Sequence, residues 1–209
     1  MTVKRIFGGL QCLETRNKNF DEGKKYPIII MLNGAGSRGD DLEIVRDNAL
    51  LDYQIAHEKF PFIVFSPLCQ ENTWFDIYEH LKKCILEIID LPYVDKKRVY
   101  LSGISMGGYA AWQILQSLPT RFAAAIICCG GGMYWNAGRI QTPVWVFHGE
   151  KDKTVLVEES QKMIKVLKDY GIETRETYYP NIAHNCWTNA FVNDAVYEWL
   201  LEHINNRKD

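Results

Sequence analysis

The sequence predicts a single α/β domain in which a mostly parallel central sheet carries helices on both faces. From Tyr26 to the end of the chain, short apolar runs typical of buried strands alternate with longer segments that have apolar residues at helical spacing. No repeat, low-complexity tract or linker interrupts this alternation, and 209 residues suit one well-buried domain better than two. We therefore expect one domain over residues 1–209.

The composition narrows the range of functions. A content of 47% hydrophobic and 24% charged residues is ordinary for a globular protein, and it favours neither disorder nor a fibre. The net charge of −2 gives no electrostatic reason to expect a nucleic acid or an anionic membrane as partner. The run Ile6–Leu10 is too short for the apolar core of a signal peptide, so we expect a cytoplasmic protein. The scattered cysteines predict buried, reduced thiols rather than disulfides.

The predicted strands are mostly short runs of apolar and β-branched residues that end at glycine, proline or polar clusters. Tyr26–Leu32 is almost continuously apolar, as expected for a strand buried on both faces. The N-terminal segment Lys4–Leu13 is expected to form one strand. The remaining predicted strands are Phe60–Phe65, Arg98–Gly103, Phe122–Cys129, Val144–His148 and Thr174–Tyr179.

The predicted helices follow from apolar spacing and from residues that cap helix ends. Between about Asp76 and Leu91, apolar residues recur at intervals of three and four, which defines one buried face. Asp40 or Asp41 can cap a helix that begins near Leu42, and Gly171 can end the helix that precedes it. Two further helices are predicted, at Tyr109–Leu118 and about Asn189–Ile204.

A candidate nucleophile lies between a predicted strand and a predicted helix. Gly103-Ile104-Ser105-Met106-Gly107 matches the pattern G-x-S-x-G, in which a tight turn holds the central serine in strained backbone geometry. Glycine flanks such a turn because a Cβ atom would clash there, and Gly108 lets the helix pack closely. We therefore expect the Ser105 hydroxyl to project at the carboxyl end of its strand.

A serine hydroxyl needs a base within hydrogen-bond reach, and that base needs a carboxylate to orient it. In this class of sheet both residues follow the serine, first the acid and then the histidine, in loops after later strands. His184 follows the predicted strand Thr174–Tyr179 and is the strongest candidate for the base. The other histidines are expected to be solvated or structural, and they are His57, His80, His148 and His203.

Two carboxylates compete for the role of the acid. Glu150 and Asp152 both follow the predicted strand Val144–His148, whereas the loop after Phe122–Cys129 holds no carboxylate before the next strand. We favour Asp152 and keep Glu150 as the alternative.

Ester or amide cleavage also needs donors for the negative charge that develops on the substrate oxygen. Met106, directly after the serine and at a helix N-terminus, can supply one backbone N–H group. The loop Asn33–Gly36 can supply the second, through Ala35, because its glycines let the backbone approach a ligand. The alternative is that this loop is a plain glycine turn.

The chain carries four motifs, which are in chain order Leu-Asn-Gly-Ala-Gly-Ser-Arg-Gly-Asp-Asp, Gly-Ile-Ser-Met-Gly-Gly, His-Gly-Glu-Lys-Asp and Tyr-Pro-Asn-Ile-Ala-His-Asn-Cys-Trp. Together they resemble the α/β-hydrolase superfamily and are similar to its esterase-like branch of predicted peptidases and phospholipase/carboxylesterases, which is related to feruloyl and acetylxylan esterases and to prolyl-oligopeptidase domains. The similarity runs from about Tyr26 to Glu202. Asn33 stands where the family usually has histidine, and the N-terminal region is shortened, with room for one strand. The sheet edge, and a homodimer contact there, stay open.

The residues and the resemblance together imply a cofactor-independent serine esterase that forms an acyl-enzyme on Ser105 and cleaves short acyl, aromatic or sugar-linked esters. Alternatives are a small serine peptidase of the prolyl-oligopeptidase type and a binding module without activity. No metal-ligand spacing or phosphate-binding loop is found, so neither a metal nor a cofactor is expected, and a small-molecule ester is the expected partner. Aromatic residues in the surrounding loops are candidate pocket walls, namely Trp74, Tyr134, Trp135 and Trp187.

Overall fold

The computed structural model describes residues 1–207, and in them eight strands form one sheet in the order β1-β2-β4-β3-β5-β6-β7-β8. Strands β3 to β8 run parallel to one another, while β2 is antiparallel to both β1 and β4, which confirms the mostly parallel sheet. The strands are Thr2–Phe7 (β1), Leu10–Thr15 (β2), Tyr26–Leu32 (β3), Ile63–Pro67 (β4), Val94–Ile104 (β5), Ala124–Cys128 (β6), Val144–Gly149 (β7) and Thr174–Tyr179 (β8).

Helices cover both faces of the sheet, as predicted. Buried side chains of α2, α3 and α4 pack on one face, and those of α1, α5 and α6 pack on the other. The α-helices are Ala49–Ala56 (α1), Tyr78–Ile89 (α2), Met106–Ser117 (α3), Val157–Asp169 (α4), Trp187–Phe191 (α5) and Asp194–Glu202 (α6). Short 3₁₀ helices span Ala35–Ser37, Leu42–Arg46 and Tyr134–Arg139.

The N-terminal region differs from the sequence prediction, because it forms two strands rather than one. Gly8 and Gly9 connect β1 to β2 with φ angles of 58° and 87°. A two-residue turn with both φ angles positive matches the twist of a hairpin, and glycine adopts it without steric cost. A Cβ atom on Gly8 would also lie 2.4 Å from the backbone nitrogen of Cys84 in α2. The sheet therefore has an antiparallel hairpin at this edge, and the prediction of a single strand over Lys4–Leu13 was wrong.

The C-terminal helix also differs from the prediction, since it is broken into α5 and α6. Asn193 lies between them with extended backbone, and its side chain accepts a hydrogen bond from the N–H of Ala195 at 3.1 Å. Asparagine is among the preferred residues for capping a helix N-terminus, so the chain restarts a helix here instead of continuing the first one. The helix expected near Leu42 begins there as a 3₁₀ turn, and Asp41 caps it through the N–H of Glu43.

The six cysteines are all buried and unbridged, which agrees with the expected reduced thiols. Within residues 1–207, no helix combines the length and the apolar character that a membrane span requires.

Parallel strands bring the loops at their carboxyl ends to one edge of the sheet. The loops after β3, β5, β7 and β8 all leave the sheet at this edge, and β3 and β5 are direct neighbours at its centre. The predicted functional residues come from these loops, so the fold itself gathers residues that are far apart in the sequence.

Candidate active site

Ser105 occupies the strained turn that its motif predicts. Its φ of 53° and ψ of −116° lie outside the ordinary regions for a residue with a side chain. The turn is held at both ends, because the N–H of Ser105 donates to the carbonyl of Cys128 and its own carbonyl accepts from the N–H of Tyr109. β5 ends at Ile104 and α3 begins at Met106, so the strain is confined to the serine.

The flanking glycines are required by close backbone contacts. A Cβ atom on Gly103 would lie 2.2 Å from the carbonyl oxygen of Gly107, and one on Gly107 would lie 2.1 Å from the carbonyl oxygen of Leu32. Both distances are far inside van der Waals contact, and the atoms approached belong to the backbone, which cannot move aside. The turn at Ser105 is thus wedged between its own helix and the end of β3.

Ser105, His184 and Asp152 form a continuous chain of hydrogen bonds. The Ser105 Oγ lies 2.9 Å from His184 Nε2, and His184 Nδ1 lies 2.6 Å from Asp152 Oδ2. The three residues follow β5, β7 and β8, so the arrangement depends on the parallel sheet. Ser105 and His184 are both partly accessible, and 25% of the His184 side chain is exposed. The hydroxyl and the imidazole can therefore meet a substrate.

Both oxygens of the Asp152 carboxylate take part in hydrogen bonds. Oδ1 accepts hydrogen bonds from the backbone N–H groups of Thr154 at 2.8 Å and Val155 at 3.0 Å, while Oδ2 faces His184. Burial raises the pKa of this carboxyl, but the hydrogen bonds from His184 and from the two N–H groups outweigh it and leave the pKa below its usual value. Asp152 therefore stays ionised beside the imidazole at neutral pH.

The competing carboxylate, Glu150, does not reach the histidine. Its side chain is exposed, and its backbone N–H donates to the carbonyl of Tyr179. The neighbouring His148 is wholly buried, with Nδ1 2.8 Å from Ser160 Oγ and Nε2 2.9 Å from the carbonyl oxygen of Val155. A carbonyl only accepts hydrogen bonds, so Nε2 carries a hydrogen there. His148 thus stabilises the loop that carries Asp152, which agrees with the structural role expected for His148.

The loop after β3 lies against Ser105. A Cβ atom on Gly34 would be 3.6 Å from the Ser105 Cβ. The Asn33 side chain is fully engaged within the loop region: its Oδ1 accepts from the N–H of Cys69 at 3.2 Å, and its Nδ2 donates to the carbonyls of Gly34 and Ser37 at 2.9 Å each. The Asn33 amide therefore shapes the loop, and neither of its hydrogens points freely toward the serine.

A cleft of about 440 Å³ opens beside Ser105. The loop Gly34–Ser37 forms one wall, and His184 and Trp187 form another, with the Trp187 ring edge-on to the imidazole at 5.5 Å. Apolar side chains, including Met31 and Ile104, line the interior. The cleft is large enough for a small acyl or aromatic group.

Of the four aromatic residues predicted to wall this pocket, Trp187 alone lines the cleft. Trp74 is fully buried in the core, where its Nε1 donates to the carbonyl of Asn33 at 3.0 Å. Tyr134 and Trp135 pack edge to face against each other in the 3₁₀ helix Tyr134–Arg139, and both are exposed away from the cleft. The prediction that these three residues wall the pocket was wrong, because Trp74 is taken up by the core and the other two lie outside the cleft.

Comparison with protein families decides the family. A model described as the dienelactone hydrolase family matches residues 62–196, which is more than half of the chain. The chain belongs to the dienelactone hydrolase family. The matched segment contains Ser105, Asp152 and His184, so the family match and the hydrogen-bonded chain coincide.

Relatives of this dienelactone hydrolase family member include esterases and peptidases. A solved structure of a thermostable esterase is 29% identical, with a TM-score of 0.81 over 97% of this chain and 63% of that chain. A putative dipeptidyl aminopeptidase of Schizosaccharomyces pombe is 24% identical over 97% of this chain, which spans 27% of that protein. The lysophospholipase-like protein 1 of Mus musculus is 22% identical over 90% of this chain and 91% of its own length.

The sequence did not predict several residues that line the cleft of this dienelactone hydrolase family member. Its inner part is formed by Met31 and Ser66, at the ends of β3 and β4, and by Val45 and Asn48, which precede α1. Nothing in the spacing of these residues distinguishes a cleft wall from ordinary packing. One feature of the sequence pointed to the cleft: the strand that stops at Ser66-Pro67 ends at the same edge of the sheet as the strand before Ser105.

Proposed function

We propose that this protein is a serine hydrolase that cleaves carboxylic esters through an acyl-enzyme on Ser105. The observation that carries the proposal is the chain of hydrogen bonds from Ser105 through His184 to Asp152, which begins at the wall of an open cleft. The likeness to a thermostable esterase supports an ester as the substrate.

Each member of the proposed triad has a distinct task. His184 Nε2 accepts the proton of the Ser105 hydroxyl as the serine oxygen attacks the ester carbon, and it then gives that proton to the departing alkoxide. Asp152 Oδ2 holds the hydrogen on Nδ1, which fixes the tautomer that leaves Nε2 free to accept, and it stabilises the imidazolium. Water activated by His184 then releases the acid and restores Ser105.

The proposed oxyanion donors are the backbone N–H groups of Ala35 and Met106. Each is the first residue of a helix, so neither N–H has an acceptor within its own helix. Gly34, next to Ala35, lies against Ser105, and Met106 directly follows the serine. The occupied Asn33 amide favours a hole made of backbone donors.

We propose esters with short acyl or aromatic groups as substrates, because these fit a cleft of about 440 Å³. The reaction moves protons only between Ser105, His184 and the substrate or water, so this chemistry calls for no cofactor.

A peptidase is the second candidate, and the relatives named as dipeptidyl aminopeptidases favour it. The triad chemistry is the same for an amide, except that the leaving nitrogen must receive a proton. This chain spans 27% of the length of the Schizosaccharomyces pombe relative.

A substrate panel tests the two candidates together. The purified protein is assayed with p-nitrophenyl acetate and butyrate, with aromatic acyl esters and with dipeptide amides, and Ser105→Ala is the control. We expect kcat/KM to be at least about a hundredfold higher for the best ester than for any amide, with no turnover by Ser105→Ala above background. Faster cleavage of an amide would favour the peptidase, and no turnover of any substrate would favour a binding module.

A further inference from the structure

The inner end of the cleft contains a buried hydroxyl without a partner. Ser66 is one of the residues that line the cleft although it is only 2% exposed, and its buried Oγ makes no hydrogen bond within the described part of the chain. Leaving a buried hydroxyl unpaired costs free energy, and proteins pair most such groups. We therefore expect the Ser66 hydroxyl to have a hydrogen-bonding partner that residues 1–207 do not supply.

The other polar side chains of the cleft are either paired or reached by water. Asn33 makes three hydrogen bonds, and Asn48 accepts from the N–H of Leu51 while donating to the carbonyl of Val45. Ser37, Asp47 and Thr154 lie at least partly in solvent, and Ser105 and His184 are hydrogen-bonded to each other. Ser66 is thus the cleft's one buried and unpaired polar side chain among the described residues.

Sheet geometry places Ser66 at a useful distance from the reacting atoms. The register that pairs Ile30 with Phe65 puts Met31 beside Ser66, and Met31 pairs with Ser102 on β5. Ser66 therefore lies two strand spacings from β5 and about three residues short of Ser105, or roughly 14 Å between the two Cα atoms. Apolar Met31, on β3 between those two strands, also lines the cleft.

We propose that Ser66 is a specificity-determining residue that binds a hydrogen-bonding group at the far end of the substrate. The inference rests on the proposed esterase function and narrows its substrate class to esters whose acyl or alcohol part is apolar along its length and polar at its tip. A site with a buried polar group rejects an analogue that lacks the matching group, because Ser66 then stays unpaired in an apolar cleft.

Matched pairs of esters that differ by one group test the proposal. The first pair is ethyl 3-(4-hydroxyphenyl)propanoate and its 4-methylphenyl counterpart, and the second is 2-(4-hydroxyphenyl)ethyl acetate and its 4-methylphenyl counterpart. Hydroxyl and methyl are close in size, so each pair differs mainly in hydrogen bonding. We expect kcat/KM of the wild type to favour the hydroxyl ester at least about tenfold in one pair. Ser66→Ala should reduce that ratio to less than about threefold.

Ser102→Ala is the matched control, because Ser102 is also a buried serine with an unpaired hydroxyl but does not line the cleft. It should keep the wild-type ratio. The proposal is overturned if the wild type hydrolyses p-nitrophenyl acetate but shows no preference in either pair, or if Ser66→Ala keeps the preference. Absence of turnover with p-nitrophenyl acetate as well would instead mean that the esterase function has failed.

Discussion

Asp152 uses its two carboxylate oxygens for two different tasks, one toward His184 and one toward its own loop. In Asp152→Asn, an amide oxygen can still accept from the loop N–H groups, but the amide nitrogen cannot accept the hydrogen of His184 Nδ1. The imidazole then adopts the wrong tautomer, and we expect kcat to fall on the order of 10⁴ while the fold is retained. Steady-state kinetics on p-nitrophenyl acetate and a thermal unfolding curve measure both effects.

Glu150→Gln is the control for this prediction. The Glu150 side chain is exposed and does not contact His184, so kcat should change by less than about tenfold. If Glu150→Gln were the damaging change and Asp152→Asn the mild one, the assignment of the acid would be wrong.

Asn33 tests whether the oxyanion hole consists of backbone donors. Asn33→Ala removes the acceptor of the buried Cys69 N–H, and we expect the free energy of unfolding to fall by about 1–3 kcal/mol together with a loss of kcat. Asn33→His restores a polar side chain and should change kcat by less than about tenfold. Urea unfolding and steady-state kinetics provide the two values. A loss of kcat of roughly 10²–10³ in Asn33→Ala with unchanged stability would show that the amide itself donates to the oxyanion.

At the residue scale, the chain order of the sequence predicted Ser105, Asp152 and His184, which the structure brings within hydrogen-bond distance. It did so because each of them follows a strand, and the order of strands is visible in the sequence. The direction of a loop side chain is not visible in this way. Trp74 is buried in the core while Trp187 lines the cleft, although the sequence predicted a loop position and a pocket wall for both.

At the scale of an element, the turn between β5 and α3 depends on glycine at Gly107. In Gly107→Ala the new methyl group meets the carbonyl of Leu32 at 2.1 Å, so β3 or α3 must shift. We expect the free energy of unfolding to fall by at least about 2–3 kcal/mol, as overpacking does elsewhere. Urea unfolding measures it.

Gly36→Ala is the matched control for stability, since a Cβ atom at Gly36 meets nothing within 4 Å and its φ is not in the left-handed region. Its free energy of unfolding should stay within about 0.5 kcal/mol of the wild type. Equal stabilities of the Gly107 and Gly36 variants would contradict the wedged turn.

The ends of a strand or helix were predictable where a single sequence pattern determined them. Thr174–Tyr179 was predicted with its observed ends. Where two signals competed, the prediction failed: the apolar pattern of Lys4–Leu13 continues through Gly8-Gly9, and the apolar face of the last helix continues through Asn193. In both places a local backbone preference, for a turn or for a cap, outweighed the longer periodicity.

At the scale of the whole molecule, a buried charge network ties the N-terminal hairpin to the centre of the sheet. Glu14 on β2 is fully buried and pairs with Arg16, with Arg5 at 3.0 Å and with the hydroxyl of Tyr93 at 2.9 Å. Tyr93 directly precedes β5, the strand that ends next to Ser105. Glu14→Ala leaves Arg16 buried without its partner, and we expect a loss of about 3–5 kcal/mol in the free energy of unfolding.

The surface pair of Lys18 and Glu58 is the control for this network. Both side chains are more than 80% exposed and lie 3.5 Å apart, so Glu58→Ala should cost less than about 1 kcal/mol. Urea unfolding of the two variants side by side compares them. Equal losses would mean that the hairpin is not anchored by this network.

The topology explains why the sequence was informative about the site. Alternating strands and helices predict a parallel sheet, and a parallel sheet brings its carboxyl-end loops together. Ser105 and His184 are 79 residues apart in the chain, yet they meet because β5 and β8 end at the same edge. The inner cleft was not predictable, since it depends on how the segment before α1 folds over β3 and β4.

Covalent labelling of Ser105 tests the proposed acyl-enzyme most directly. The wild-type protein is treated with a fluorophosphonate and the adduct is located by mass spectrometry, with Ser105→Ala and His184→Ala as controls. We expect one adduct per chain, on Ser105, with no label in Ser105→Ala and at least about a hundredfold slower labelling in His184→Ala. An adduct on another serine, or ester hydrolysis that persists in Ser105→Ala, would contradict the assignment of Ser105 as the residue that is acylated.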